Sequence, residues 1–453
     1  MDVCRRAGAG FRPGQQSPDN RAYAPSPGPV KRVSVRRLDL TPLRRHRDFR
    51  LLYASQSISF LGSMLTYVAL PYQVYRLTHS PLAVGLLGLA ELVPLLLTAF
   101  LGGALADAVD RRKMVLRTEI ALALGSGLLA LYAVLEAPPV WPLYVAAGAM
   151  SALNGLQRPS LDSLIPRLVD RDEIPAAARL SMLRGSIGMI AGPAIAGVLL
   201  SSVGLAATYA ADFLSYALSL LAFRLIRAVP PPEGAEAPSL ARVREGFRYA
   251  MGRQELVGTY VVDFVAMVFG MPLALFPAVA DGMGGTRVLG MLYAAPAVGA
   301  LAASLTSPWA SRVHHHGRAV LAAASVWGLA IVAFGFCDGL VPALAFLALA
   351  GWADSVSGMF RLTIWNQTIP DSLRGRLASI EIVSYMSGPL LGHAEAGAAA
   401  ALGGVRFSVV SGGVLCVVGV LACAFVLPRF VGYDARAFVA GSSANTSTST
   451  PLA

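Results

Sequence analysis

The sequence predicts an all-α polytopic membrane protein: about twelve transmembrane helices in two pseudo-symmetric six-helix bundles. Three observations predict it. The 453-residue chain is 55% hydrophobic and only 14% charged, with a mean hydropathy of +0.59, well above a soluble protein of that length. From Phe49 onward, apolar runs of roughly the 20 residues needed to cross a bilayer alternate with short polar turns. The cations fall in alternate turns, as membrane orientation demands.

In chain order, residues 1–48 read as a disordered, basic cytosolic tail, rich in Pro, Gly, Ser and Arg and without an apolar core. No apolar segment precedes a small-residue cleavage site there, so it is not a signal peptide. Arg32, Arg36, Arg37, Arg44, Arg45, Arg47 and Arg50 place it near anionic lipid. Helices are expected near 50–76, 81–107, 112–135, 140–166, 174–201 and 204–227, forming an N-terminal bundle over 49–228. The cytosolic linker 229–255 opens with Pro230-Pro231-Pro232. It then carries a surface helix over 239–252, whose Leu240, Val243, Phe247 and Ala250 share a face. Helices near 256–280, 287–311, 318–337, 340–366, 374–401 and 405–428 build a C-terminal bundle over 256–430. A Ser/Thr-rich disordered tail follows over 431–453, and its Asn445-Thr446-Ser447 sequon is discounted as cytosolic.

With the N-terminus inside, cytosolic turns collect Arg111, Arg112, Lys113, Arg167, Arg171, Arg242, Arg312, Arg318, Arg374 and Arg376 among others. The outer turns hold only Arg76, Arg287 and Arg406, so both termini are expected in the cytosol. The net charge of +11 is then topology and not a nucleic-acid footprint. Cys4, Cys337, Cys416 and Cys423 show no metal-ligand spacing and no disulfide framework.

The stretch Gly102-Gly103-Ala104-Leu105-Ala106-Asp107, ending in Arg111-Arg112-Lys113, joins small residues, an acid and a cation cluster between two apolar runs. Small residues let helices approach closely, and Asp107 and Arg111 would pair on one face if the helix continued. The pattern resembles the signature after the second helix of major facilitator superfamily transporters, with Asp110 where the family often has glycine. The resemblance implies a cytoplasmic latch of Gly102, Gly103, Asp107, Arg111, Arg112 and Lys113, with Arg158 and Asp162 of the fourth helix as its partners. Its counterpart in the second half, residues 305–318, lacks the acid, so the better-formed latch is expected in the N-terminal half.

The halves echo each other. Arg179-Leu180-Ser181 leads into Gly192-Pro193, and Arg376-Leu377-Ala378 into Gly388-Pro389 at nearly the same spacing. Gly188, Gly192, Pro193 and Gly197 resemble the antiporter motif of facilitator-family exporters, while a kinked, tightly packed helix would also explain them. Phe276-Pro277-Ala278 with Gly290-Met291-Leu292-Tyr293, Gly351-Trp352, and Thr78-His79-Ser80-Pro81 are similar to the bacterial branch of enterobactin (siderophore) exporters and macrolide or multidrug pumps. The likeness covers about Leu40 to Phe430. It implies a proton-driven, alternating-access exporter of a siderophore or hydrophobic drug, a monomer of the bacterial inner membrane. A broad drug pump, or a transporter-shaped sensor that moves nothing, is the alternative.

Charges inside apolar helices are costly and ask for a reason. Glu91 lies roughly 15 Å into the second helix at helical rise, near the midplane. Arg184, Asp212, Asp263, Asp354 and Glu381 lie within the fifth, sixth, seventh, tenth and eleventh helices. Each is a candidate for proton coupling, for substrate contact, or for a structural ion pair. Tyr67, Tyr72, Phe264, Phe269, Tyr293, Trp352 and Tyr385 could stack on a planar substrate, though most such aromatics simply pack. His314-His315-His316 is expected to be a solvated cytosolic loop. Neither a phosphate-binding loop nor a His-Glu-x-x-His stretch occurs, so enzyme chemistry, cofactors and a resident metal are not expected.

Overall fold

The computed structural model describes residues 39–108, 110–227 and 248–436, with 99–108, 371, 372, 374–376 and 378–384 described in backbone only. Most of the linker helix and of both expected tails lies outside the described residues, but the inner ends of the tails are not disordered: Thr41–Arg45 is helical, a second helix starts at Arg47, and Tyr433 donates to Gln367 Oε1 at 2.9 Å. From Leu40 the chain forms one compact unit. After a short helix, Thr41–Arg45, come α1 (Arg47–Thr78), α2 (Pro81–Ala108), α3 (Arg111–Tyr132), α4 (Trp141–Leu168), α5 (Ile174–Ser202) and α6 (Gly204–Arg224). The second half holds α7 (Gln254–Phe269), α8 (Thr286–Thr306), α9 (His316–Gly335) and α10 (Leu340–Thr368). A helical run Asp371–Val426 follows, broken at Gly404 (φ 86°, ψ 169°) into α11 (371–403) and α12 (405–426). Only a glycine adopts that backbone without strain, and it turns the chain back across the bundle.

Among the described residues, nine helical stretches are long and apolar enough to cross a membrane. The last of them, Tyr385–Val426, includes the Gly404 break. Neither α1 nor α5's neighbour α4 is among the nine, although they run to 32 and 28 residues. Their buried polar side chains, Ser55, Ser59, Thr66 and Gln73 in α1 and Gln157 and Ser160 in α4, lower the hydropathy and face protein instead of lipid.

Three further expectations change. The helix carrying Asp107 ends at Ala108, and Asp110 instead caps α3, accepting the backbone N–H groups of Arg112 (2.9 Å) and Lys113 (3.4 Å). Asp107 and Arg111 are therefore not on one continuous helix, because an acid at an N-cap starts a new one. The expected seventh helix is also interrupted. After α7 the chain passes Gly270-Met271-Pro272, forms a 3₁₀ turn at Leu273–Leu275, and resumes as Phe276–Met283. Pro272 has no N–H to continue the ladder, and Trp327 Nε1 donates to the Gly270 carbonyl at 2.9 Å. Finally, His314-His315-His316 is a solvated loop only in part: His315 is exposed and His314 half-buried. His316 is buried, with its ring 5.3 Å from Phe360 and 6.2 Å from Tyr433, and His315 bridges Asp434 along the backbone. Beyond that bridge the Arg436 N–H holds the Asp434 carboxyl below its usual range.

The halves meet through two glycine crossings related by the internal repeat. Gly85 of α2 packs on Gly397 of α11, and Gly290 of α8 packs on Gly197 of α5, so close that an added Cβ would meet backbone on the other helix. Each fifth helix also rests on the first helix of its own half. Gly188 and Gly192 face Phe60 and Met64 of α1, and Gly388 faces Met267 of α7. The antiporter-like stripe is thus a packing surface shared between α1 and the opposite half. On the linker side, Ala250 is fully buried and Tyr249 donates to the Thr368 carbonyl at 3.0 Å, which docks the last turn of the expected surface helix on the end of α10.

Candidate functional site

α7 and α10 pack so that their polar faces share a cavity of about 220 Å³. Arg361 dominates it. Its Nη1 pairs with Asp263 Oδ1 of α7, and its Nη2 lies 3.7 Å from Asp354 Oδ1, one helical face back along α10. Arg361 and Asp263 side chains are 15% and 9% exposed, so the pair is largely withdrawn from solvent; Asp354, at 34%, is more open. Arg361 Nε is buried without an acceptor among the described residues, leaving a spare donor in the wall. Tyr260, Trp365 and Tyr385 supply aromatic surface around it, with Tyr260 and Trp365 edge-on at 5.3 Å.

Arg361 escaped the sequence reading. A signal was present: it stands seven residues after Asp354, which puts both on one helix face. Asp263 and Asp354 are therefore brought together, by a cation that had not been singled out. The exposed Tyr385 lies in electrostatic reach of this cluster and of Arg158 across the interface.

In the N-terminal half, Glu91 of α2 is half-buried and makes no side-chain hydrogen bond or ion pair among the described residues; its backbone carbonyl accepts Ser151 Oγ at 3.0 Å. Tyr67 and Tyr293 lie in its electrostatic reach, and their rings meet edge-on at 5.4 Å between α1 and α8. Around Glu91 on the same helix, Leu87 and Leu95 are buried, Gly88 touches Leu390 and His393 of α11, and Pro94 touches Gly148 of α4. His393 Nε2 is buried at that crossing with no partner among the described residues.

Asp212 is elsewhere. It is fully buried among hydroxyls of α1, α3 and α6, seven residues of helix from the level of Glu119, another acid the sequence reading passed over. Arg184 donates to the Gln56 carbonyl at 3.0 Å, lies over the Phe60 ring at 5.6 Å, and feels Asp162 and Arg158. Asp162 thus keeps company with Arg158 and Arg184. Of the latch, Arg111 is buried and Arg112 donates to the Arg224 carbonyl at 2.7 Å, tying α3 to the end of α6. The side chains of Gly102, Gly103, Asp107 and Glu381 lie outside the described residues.

One grouping at the same end has metal-ligand geometry: His46, Asp170 and Glu173, with ligand atoms within 4.8 Å of one another. Glu173 Oε2 lies 2.9 Å from His46 Nε2, and Arg45 holds its Oε1 at 3.3 Å. With a guanidinium already on the acid, this is an ion-pair clamp from the start of α1 to the loop before α5. Arg227 and Asp48, 3.2 Å apart, form a second clamp, to the end of α6.

Two helical halves that meet at paired glycine crossings, with charged side chains buried among apolar helices, fit a multi-pass membrane transporter of the major facilitator class. The fold is shared with a solved nucleoside transporter, NupG, at a TM-score of 0.69 and 12% identity, covering 84% of this chain and 99% of that one. The chain belongs to the transmembrane secretion effector family (MFS_3), whose model matches residues 38–442. It is similar to the enterobactin exporter EntS of Shigella boydii serotype 18, 28% identical over 386 residues, 85% of this chain and 93% of the relative. EntS of Escherichia coli O1:K1 / APEC is 28% identical over 387 residues, with the same shares covered.

Proposed function

We propose that this chain is a secondary exporter of a bacterial inner membrane, carrying a siderophore or hydrophobic drug outward in exchange for protons. It works as a monomer of twelve crossings, 49–228 against 256–430, with both termini in the cytosol. The observation that carries the reading is the Asp263–Arg361–Asp354 cluster in its aromatic-walled cavity. A cavity of about 220 Å³ is smaller than the roughly 300–1,000 Å³ that whole drug-sized ligands occupy. It suits one ring with an acidic substituent, such as a single catechol arm, on Arg361 and the aromatics.

Alternating access would rock the halves about the two glycine crossings while the latch around Asp107 opens and closes. Similarity to enterobactin exporters favours the siderophore. The test is efflux in a strain stripped of its own exporters, with enterobactin and a macrolide offered in parallel. Retention of enterobactin inside cells expressing the chain, with the macrolide expelled, would move the reading to drug efflux.

A further inference from the structure

The site of the C-terminal half leaves two buried acids unused. Glu119 of α3 and Asp212 of α6 are each 0% exposed, inside the N-terminal half. Asp212 Oδ2 accepts Thr66 Oγ1 of α1 at 2.5 Å and Ser126 Oγ of α3 at 2.6 Å, and Ser215 Oγ lies 3.4 Å from Oδ1. Glu119 Oε1 accepts Gln56 Nε2 of α1 at 2.7 Å, and Oε2 accepts Ser219 Oγ of α6 at 3.0 Å. The two rungs are reciprocal. α3 offers an acid at 119 and a serine at 126, α6 an acid at 212 and a serine at 219, so each acid meets the other helix's serine. α1 closes both rungs. Seven residues of helical rise separate them by about 10 Å.

Among the described residues no Lys, Arg or His comes within pairing distance of either acid. The titratable groups in reach are Tyr209, beside Asp212, and Tyr216, which feels both acids. From α5, Arg184 stops at the Gln56 backbone carbonyl. This separates the pair from Asp263, which lies against the Arg361 guanidinium. A guanidinium favours only the carboxylate. A serine or threonine hydroxyl donates to a carboxylate and, after rotating, accepts from a carboxylic acid. The surroundings of Asp212 and Glu119 therefore suit both protonation states, while a fixed charge buried there without a counter-ion would be costly. Polar groups continue beyond each rung: Tyr209 donates to Gln73 Oε1 at 2.8 Å toward the outer end, and Arg184 with its Asp162 and Arg158 neighbours lies toward the cytosol.

We propose that Asp212 and Glu119 are two stations of a proton-holding path inside the α1–α3–α6 bundle, separate from the cavity between α7 and α10. The ligand of this site is the proton. Its place in transport rests on the antiport reading; its capacity to take up and release a proton does not.

Two measurements test it. Infrared pH titration of the purified full chain in nanodiscs should show two protonated-carboxyl bands that vanish as pH rises, one absent from Asp212→Asn and the other from Glu119→Gln. If the titrating bands are unchanged in the double variant, the proposal is overturned, because the pair then never exchanges a proton. In proteoliposomes with enterobactin as probe, the double variant should keep equilibrium exchange and lose uphill movement under an imposed pH gradient. Uphill movement retained at the wild-type ratio to exchange overturns the coupling role. If wild type moves no enterobactin at all, the substrate reading fails and the infrared titration alone decides the proton site. Exchange and uphill movement lost together, with the chain unfolded, mark a structural pair and overturn the proposal as well.

Discussion

Arg361 is held between two carboxylates in a largely dry wall, and removing one partner from such a group leaves uncompensated charge. Arg361→Gln should lower thermal stability in detergent by on the order of 3–5 kcal/mol and abolish export. Asp263→Asn added to it should restore much of the stability and none of the export. A double variant no more stable than Arg361→Gln alone would mean that the two groups do not depend on each other. Glu91 is a different case, since no cation stands beside it among the described residues. Glu91→Gln should keep substrate binding and stop transport against a gradient, read as a split between bound and accumulated probe. Unchanged transport per folded molecule would leave Glu91 a structural residue. These acids were legible because a charge inside an apolar run stands out. Glu119 was not, because Arg111, Arg112, Lys113 and Arg117 precede it and the whole stretch looked like a polar flank. Nine residues of helix nevertheless carry it about 12 Å inward. Which acid meets a cation and which meets hydroxyls depends on packing between helices, and no single-helix pattern holds that information.

At the scale of elements, the expected helix ends fall within a few residues of those found, because apolar length and turn residues set them locally. The breaks were harder to see. Asp110 reads as part of a charged run until its carboxylate is seen capping α3. Pro272 was absorbed into an apolar span, although Trp327, 55 positions on in the sequence, is what accommodates its break. Trp327→Phe should cost about 1–3 kcal/mol of stability by leaving the Gly270 carbonyl without its donor, measurable as a lower melting temperature. An unchanged melting temperature would show that water or another donor replaces it. The glycine crossings carry a larger expectation. Gly290→Leu has no room against Pro193 and Gly197, so α5 and α8 must part. Cysteines placed at the outer end of α8 should become more accessible to a membrane-impermeant thiol reagent. Accessibility equal to that of wild type would mean that the crossing does not hold the halves together.

Over the whole molecule, the internal repeat shows in both sequence and contacts: second helix on the opposite eleventh, fifth on the opposite eighth, with a glycine on each side. The charges do not repeat. The C-terminal half pairs Asp263 and Asp354 with Arg361, while the N-terminal half cradles Asp212 and Glu119 in hydroxyls and one amide. Such a division fits one half that recognises a substrate group and another that handles protons. The measurement that tests this account most directly is transport by the purified full chain in proteoliposomes, with enterobactin on the pumping side and an imposed pH gradient. The account predicts that enterobactin accumulates against its own gradient, that an uncoupler abolishes the accumulation, and that protons move in the opposite direction. Accumulation that persists after the pH gradient is collapsed would contradict it.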